Sequence, residues 1–150
     1  MQFKSLTNRK DIDLIPYINY HFEQYPEDKL YIGTDSQNVG NYSVYGVVLV
    51  LHRNNRGGHV LFTTIKLPRI HDKHVRLWQE VEYSVDLAEY LKSMNIKAPE
   101  FIDIDFNIDP KYASNSLLLS AMGYVRGMGY EVRAKPDSLV ASYVADIVCR

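Results

Sequence analysis

"LYIGTDSQ", residues 30–37, sets an ionisable side chain at the end of a short apolar run that closes in glycine. Asp35 stands where a buried strand is expected to emerge from the core. A turn would account for the acid, because Asp and Ser side chains hydrogen-bond to nearby backbone groups. A carboxylate that binds a metal ion would account for it equally well. The positions of the other acids decide between the two interpretations.

Two more strands follow this one and predict an antiparallel meander. SVYGVVLVLHR (43–53) and HVLFTTIKL (59–67) are rich in apolar and β-branched residues, and the turn signal NNRGG (54–58) separates them. The segment before YPEDK (25–29) has apolar side chains at helical spacing, with Asp11 or Asp13 as its cap. The first half of the chain therefore predicts a helix and three strands.

Helices and strands then alternate along the chain. They are a helix from about His74 to Met94, a strand in EFIDIDFN (100–107), a helix from about Ser114, a strand in YEVRAK (130–135) and a helix from about Ser138. This order predicts an α/β fold with a mixed five-stranded sheet, three antiparallel strands then parallel ones, flanked by helices on both faces. We expect a single domain over residues 1–150, with a helical extension over 1–29 and the core over 30–150.

Composition sets limits on the class of protein. The chain has 150 residues, 46% of them apolar, which is enough to form a core without disulfides. The single cysteine, Cys149, excludes an internal disulfide and favours a reducing, cytoplasmic setting. We expect a soluble protein, because no apolar run approaches the ~18 residues of a membrane span. The formal charge of −1 neither supports nor excludes a nucleic-acid partner.

Acids fall at the predicted ends of several strands. Asp35 follows the first core strand, Asp105 lies near the end of the fourth, and Asp137 follows the fifth. Sites in such sheets gather at the carboxyl ends of the strands, so we expect these carboxylates to converge at one edge. Asp103 shares a face of its strand with Asp105, and the choice between these two stays open.

The helix after the third strand adds one more acid. Glu80 and Glu82 lie on opposite flanks of that helix. Leu87 and Leu91 lie on the Glu80 side, which predicts that this flank is the more enclosed one. Glu80 is therefore the preferred candidate.

Each acid taken alone has an ordinary explanation. Asp35 suits a turn, Glu80 suits a solvated helix surface, and Asp137 suits a helix N-cap. Asp146 lies, by helical periodicity, on the exposed side of the last helix. The joint pattern is more informative than any single residue.

Several carboxylates that meet without Lys or Arg partners repel one another, and divalent cations remove that repulsion. Mg²⁺ and Mn²⁺ prefer such oxygen ligands. Two ions about 3.5–4 Å apart can activate water and stabilise the leaving oxygen in phosphodiester hydrolysis. The pattern therefore predicts two bound Mg²⁺ or Mn²⁺ ions, with the carboxylates as ligands rather than proton carriers.

Four stretches of the chain resemble the ribonuclease H-like superfamily, and within it a small, uncharacterised bacterial and phage family. They are IGTDSQ (32–37), PRIHDKHVRLWQEVEYS (68–84), DIDFN (103–107) and KPDSLVASYVAD (135–146). The resemblance covers about residues 30–150, and the strand order matches the superfamily. It implies a ribonuclease H-like fold and a metal-dependent nuclease.

The resemblance also implies where the acids lie. Carried onto this sequence, the catalytic and metal-binding positions fall on Asp35, Glu80, Asp105 and a fourth acid. That acid usually lies on the final helix of the superfamily, which favours Asp146, whereas helical periodicity here favours Asp137. Both remain candidates.

Candidate substrate contacts come from the same motifs: His71, His74, Arg76, Gln37 and Lys135. The two histidines and Arg76 could bind the scissile phosphate or simply cap and solvate the start of the helix. Gln37 stands where exonucleases of this fold carry a second acid, so proofreading-type exonuclease activity is not expected.

Two functions follow from these observations. The first is a metal-dependent nuclease that hydrolyses RNA, an RNA–DNA hybrid or structured DNA by a two-metal mechanism. The second is a catalytically inactive ribonuclease H-like module that binds nucleic acid or protein, since a fold alone licenses no chemistry. The oligomeric state stays open.

Overall fold

The computed structural model describes residues 2–53, 57–106 and 114–134. The strands are β1 (Phe3–Ser5), β2 (Asp11–Ile12), β3 (Lys29–Val39), β4 (Tyr42–His52), β5 (Gly58–Pro68), β6 (Phe101–Ile104) and β7 (Val132–Ala134). The helices are α1 (Leu14–Gln24), α2 (Lys73–Ser93) and α3 (Ser114–Gly127). The final helix predicted from Ser138 and residues 54–56 of the predicted turn lie outside the described residues.

The strands form one mixed sheet in the order β2-β1-β5-β4-β3-β6-β7. Strands β3, β4 and β5 pair antiparallel in sequence order, which confirms the predicted meander. Strand β6 then pairs parallel to β3, and β7 pairs parallel to β6. The predicted α/β fold class with a mixed sheet is therefore confirmed.

The number of strands differs from the prediction, because the described part of the sheet has seven strands rather than five. The extension predicted to be only helical also contains β1 and β2, and Lys4 of β1 pairs with Phe62 of β5. These strands have three and two residues, too few for an alternating pattern to stand out in the sequence.

Alternation along the long strands creates two faces with separate apolar cores. The face that we call the first face carries the larger core, to which Ile18 of α1, Val81 of α2 and Val125 of α3 contribute. The second face carries a smaller core that includes Val48 of β4 and Phe62 of β5. The described helices thus contribute to the first face, and the prediction of a helix on the other face depends on residues outside the described ranges.

Helix α2 has well-defined ends that fix its position on the first face. The Asp72 carboxylate accepts hydrogen bonds from the backbone N–H groups of His74 and Val75 at 2.8 and 3.2 Å, as an N-cap should. The helix ends before Asn95, which has a φ of 60° in the left-handed region that Asn tolerates. No helix in the described ranges is long and apolar enough to cross a membrane.

Candidate carboxylate site

Glu80 of α2 is the most deeply buried of the predicted site acids in the described ranges. It is 2% exposed, whereas Glu82 is only half-buried, so the predicted difference in burial is found. The buried flank of α2 faces β3, where the Thr34 and Ser84 hydroxyl groups hydrogen-bond at 2.8 Å. Glu80 therefore lies at the junction of α2 and β3, beside the strand that carries Asp35.

Ser36 and Arg76 hold Glu80 in this position. The Ser36 hydroxyl donates a hydrogen bond to Oε2 of Glu80. Arg76 Nη1 donates to the Ser36 hydroxyl at 2.8 Å and to the Ser36 carbonyl at 3.1 Å. Glu80 Oε1 is buried without a hydrogen-bond partner in the described part of the chain. The protein thus fixes Oε2 of the carboxylate by a hydrogen bond, whereas Oε1 has no hydrogen-bond partner among the described residues.

The charges of two other predicted acids, Asp35 and Asp105, affect the pKa of Glu80. Burial first, and the charge of Asp35 second, raise the pKa of Glu80 well above its ordinary value, and Asp105 raises it further. The hydrogen bond from Ser36 and the charge of Arg76 act in the opposite direction. The fold therefore brings Asp35 and Asp105 close enough to Glu80 for their charges to act on its carboxyl group.

The positively charged side chain of Arg76 also lies in the carboxylate site, which the sequence analysis did not predict. Arg76 was predicted as a phosphate contact, but its Nη1 donates to Ser36, and its Nε is buried without a partner in the described ranges. The use of Arg76 in binding a phosphate stays a prediction.

Asp103 and Asp105 have different environments although both follow the same alternation. Asp103 accepts a bidentate pair of hydrogen bonds from Arg133 of β7, at 2.9 and 3.0 Å, and its side chain is 1% exposed. Strand β6 ends at Ile104, so Asp105 follows the strand and is half-buried. Asp103 thus neutralises a structural arginine, and Asp105 is the acid whose charge acts on Glu80.

Tyr45 closes the site from β4. It is fully buried, and its hydroxyl donates to the Arg76 carbonyl at 3.0 Å. Burial first, and the charge of Glu80 second, raise the pKa of Tyr45 far above its ordinary value. The phenol therefore stays protonated and ties the first turn of α2 to the sheet.

The donor chemistry of the site fits a hard divalent cation. Asp35, Glu80 and Asp105 supply carboxylate oxygens, and Glu80 Oε1 is buried with no partner in the described ranges. However, no three His, Cys, Asp or Glu side chains within residues 2–53, 57–106 and 114–134 form a group that could hold a metal ion as they stand. The predicted fourth acids, Asp137 and Asp146, lie outside those ranges.

The remaining predicted substrate contacts lie at the start of α2, on β3 and outside the described residues. His71 and His74 are exposed at the start of α2, where the backbone of His74 bonds to the Asp72 cap. Gln37 is half-buried on β3, on the same face as Asp35. Lys135 lies outside the described residues.

Sequence signals for the missed residues existed. Ser36 follows Asp35 in a strand, so it must face the opposite side, towards α2. Arg76 precedes Glu80 by one helical turn, a spacing at which side chains of opposite charge meet. Tyr45 is opposite Ser36 in the hairpin register. Pairwise spacing therefore predicts this network once α2 is placed against β3.

Comparison with known proteins identifies the family. A family model described as "Ribonuclease H-like" matches residues 13–150. The chain belongs to the ribonuclease H-like family. The match begins at residue 13, so it includes α1, which the sequence resemblance had placed outside the core.

This ribonuclease H-like chain is also similar to a bacterial protein and to a solved structure. It is 28% identical over 127 residues to the uncharacterized protein YkuK of Bacillus subtilis (strain 168), covering 75% of this chain and 73% of YkuK. A structure of RuvC from Thermus thermophilus is similar at a TM-score of 0.35 and 17% identity, covering 70% of this chain. The match spans 62% of that RuvC chain, which is less than two thirds of its length.

Proposed function

We propose that this protein is a divalent-metal-dependent nuclease that hydrolyses phosphodiester bonds of RNA, an RNA–DNA hybrid or structured DNA. The observation that carries the proposal is the effect of Asp35 and Asp105 on Glu80, whose Oε1 is buried without a partner in the described ranges. Maintaining mutually repelling carboxylates at a buried junction is costly unless a cation joins them. Membership of the ribonuclease H-like family supports the same chemistry.

Asp35, Glu80 and Asp105 are the residues that would hold Mg²⁺ or Mn²⁺, with Asp146 or Asp137 as the fourth ligand. Bound there, two ions would supply an activated water and would stabilise the leaving oxygen. In this proposal the carboxylates would act as metal ligands rather than as proton carriers.

Ser36 and Arg76 serve as positioning residues. The Ser36 hydroxyl holds Oε2 of Glu80, which would leave Oε1 available to a bound cation. Arg76 braces Ser36 from the first turn of α2. This bracing keeps the buried carboxylate in one orientation before substrate arrives, which is the preorganisation that electrostatic catalysis needs.

The test combines cleavage with metal binding. Purified protein is assayed with Mg²⁺ or Mn²⁺ on single-stranded RNA, an RNA–DNA hybrid and a four-way DNA junction. We expect Asp35→Asn to lower cleavage by about 100-fold or more and to weaken Mn²⁺ binding in calorimetry. Asp86→Asn, which removes an exposed acid of α2, is the matched control and should retain both. Cleavage that persists in Asp35→Asn, or that is absent from the native protein on every substrate, overturns the proposal.

One observation favours a second candidate, the catalytically inactive binding module. Arg76 already places a positive charge beside Glu80, and the described ranges hold no complete metal group. Arg76 could then stabilise the site without any ion. Under this alternative, Mn²⁺ releases no heat of binding at the site, while Arg76→Gln strongly destabilises the fold.

A further inference from the structure

We propose that the second face of the sheet binds a single-stranded segment of nucleic acid, with Tyr42 as a stacking platform and Lys66, Lys4 and Arg9 as phosphate contacts. This inference rests on the proposed function, because it extends the substrate path away from Asp35. It adds residues that neither the motifs nor the carboxylate site include.

The strand register places these residues on the face that carries Asp35. Side chains alternate along a strand, and Ser36 bonds to α2 on the first face, so Asp35 and Val39 point to the second. Tyr42 is opposite Val39 in the register of β3 and β4 and therefore shares that face. Along β5, Lys66 is opposite Val44 and follows Phe62 of the second-face core by four residues.

Three cations line this face. Lys66 Nζ lies 5.4 Å from the Tyr42 ring centroid, and the Arg9 guanidinium carbon lies 5.1 Å from that of Phe62. Lys4 is opposite Phe62 in the register of β1 and β5. Together with neighbouring residues they border a groove of about 660 Å³. Lys66 and Arg9 form no ion pair within the described ranges, whereas Lys4 is 3.9 Å from Asp11.

The hairpin that presents Tyr42 is held rigidly. Gly40 has a φ of 56° and allows the tight turn into β4. Arg69 Nη1 donates to the Gly40 carbonyl at 2.7 Å, and the Arg69 N–H donates to the Asn41 carbonyl at 2.9 Å. Asn38 also donates from its amide to the Ile70 carbonyl at 3.1 Å. Tyr42 is nevertheless 50% exposed, so its ring is accessible.

This arrangement fits a single strand better than a continuous duplex. An exposed aromatic ring binds nucleic acid by stacking on an unpaired base, and a duplex keeps its bases stacked on each other. Val39 is four residues beyond Asp35, about 13 Å along the strand. A single strand that spans this short distance would reach the carboxylates while one of its bases rests on Tyr42.

Binding is measured by fluorescence anisotropy in EDTA, where metal-dependent cleavage does not occur. The probes are a labelled single-stranded oligonucleotide and the same sequence as a duplex. We expect Tyr42→Ala to weaken single-strand binding about fivefold or more and to change duplex binding little. Tyr42→Phe should retain native affinity. Tyr20→Ala, which removes a ring that is 66% exposed on α1, is the matched control and should have no effect.

The salt dependence tests the cations. Each phosphate contact to a single strand contributes about 0.7 to the slope of log affinity against log salt. We expect Lys4→Gln combined with Lys66→Gln to reduce that slope by about 1.4. The matched control is Lys29→Gln with Lys92→Gln, because Lys29 is paired with Glu100 at 3.6 Å as Lys4 is with Asp11, and Lys92 is exposed.

The outcomes separate this inference from the proposed function. Native affinity in Tyr42→Ala, or a slope unchanged by the two lysine substitutions, overturns the inference whatever the nuclease assay shows. A duplex that binds more tightly than the single strand overturns it as well. Tyr42-dependent binding in a protein that cleaves nothing would support the inference and reject only the nuclease.

Discussion

Ser36 of β3 donates its hydroxyl hydrogen bond to Glu80 of α2, although the preceding residue, Asp35, points to the other face of the strand. Two consecutive residues of one strand therefore act on the same buried carboxylate in opposite ways. The bond from Ser36 lowers the pKa of Glu80, and the charge of Asp35 raises it.

Removing the charge of Glu80 should stabilise the metal-free protein. We expect Glu80→Gln to raise the free energy of unfolding in EDTA by about 1 kcal/mol, because burial and neighbouring acids disfavour the charge. Added Mg²⁺ should then stabilise the native protein but not the variant. Urea denaturation with and without Mg²⁺ measures both effects. Glu82→Gln, on the half-buried flank, should stay within about 0.5 kcal/mol of the native protein; a similar gain there would contradict the explanation.

Substitutions at Asp103 should affect stability, whereas substitutions at Asp105 should affect cleavage. We expect Arg133→Gln to cost about 3 kcal/mol, because it leaves the Asp103 charge buried after the loss of a bidentate partner. Asp103→Asn should lower stability yet retain cleavage by the folded molecules. Asp105→Asn should retain stability and lose cleavage. Thermal denaturation and the nuclease assay are read on the same preparations, and loss of cleavage in Asp103→Asn at full folding would reassign the ligand.

The hydroxyl pair between β3 and α2 gives a quantitative test of the junction. Thr34 and Ser84 are both buried and bond at 2.8 Å. We expect Ser84→Ala to cost about 1–3 kcal/mol, since it leaves a buried hydroxyl without its partner. Combining it with Thr34→Val should cost less than the sum of the two single substitutions. Additive costs in a double-mutant cycle would show that the bond contributes nothing.

His59 predicts how stability depends on pH. Burial first, then the charges of His21 and Arg53, lower the pKa of His59, with Asp28 opposing them. The Tyr17 hydroxyl lies 2.8 Å from Nδ1 of its ring. Because the folded pKa is below that of the unfolded chain, the unfolded state takes up more protons as the pH falls through about 6.5, and stability is lost.

Urea midpoints between pH 7.5 and pH 5.5 measure this dependence. We expect His59→Gln to reduce the fall in midpoint on acidification. The exposed His74 supplies the control, and His74→Gln should leave the fall unchanged. An equal fall in the native protein and in His59→Gln would contradict the assignment.

Much of the fold could be predicted because its signals are long and periodic. The 11-residue strands β3, β4 and β5 and the 21-residue helix α2 each repeat their pattern several times. The short strands β1 and β2 gave no such signal. They form because β1 pairs with β5 and β2 pairs with β1, and no local pattern encodes these pairings.

The candidate site was predictable only as a set of acids. The alternation of side chains placed Asp103 and Asp105 on the same face of the strand. Only the structure distinguishes them, because β6 ends at Ile104 and Asp103 forms an ion pair with Arg133. The inward turn of Arg76 depends on how α2 packs on β3. The choice between Asp137 and Asp146 stays a prediction, since both lie outside the described residues.

The meander has a consequence for the order in which the chain folds. Strands β3, β4 and β5 are neighbours in both sequence and sheet, so their pairing closes short loops, whereas β6 reaches β3 only after the whole of α2 has been traversed. Contacts between near residues form early in folding and distant parallel pairing forms late. We expect the acids to come together in one of the last steps, so that a half-folded intermediate lacks the complete carboxylate site.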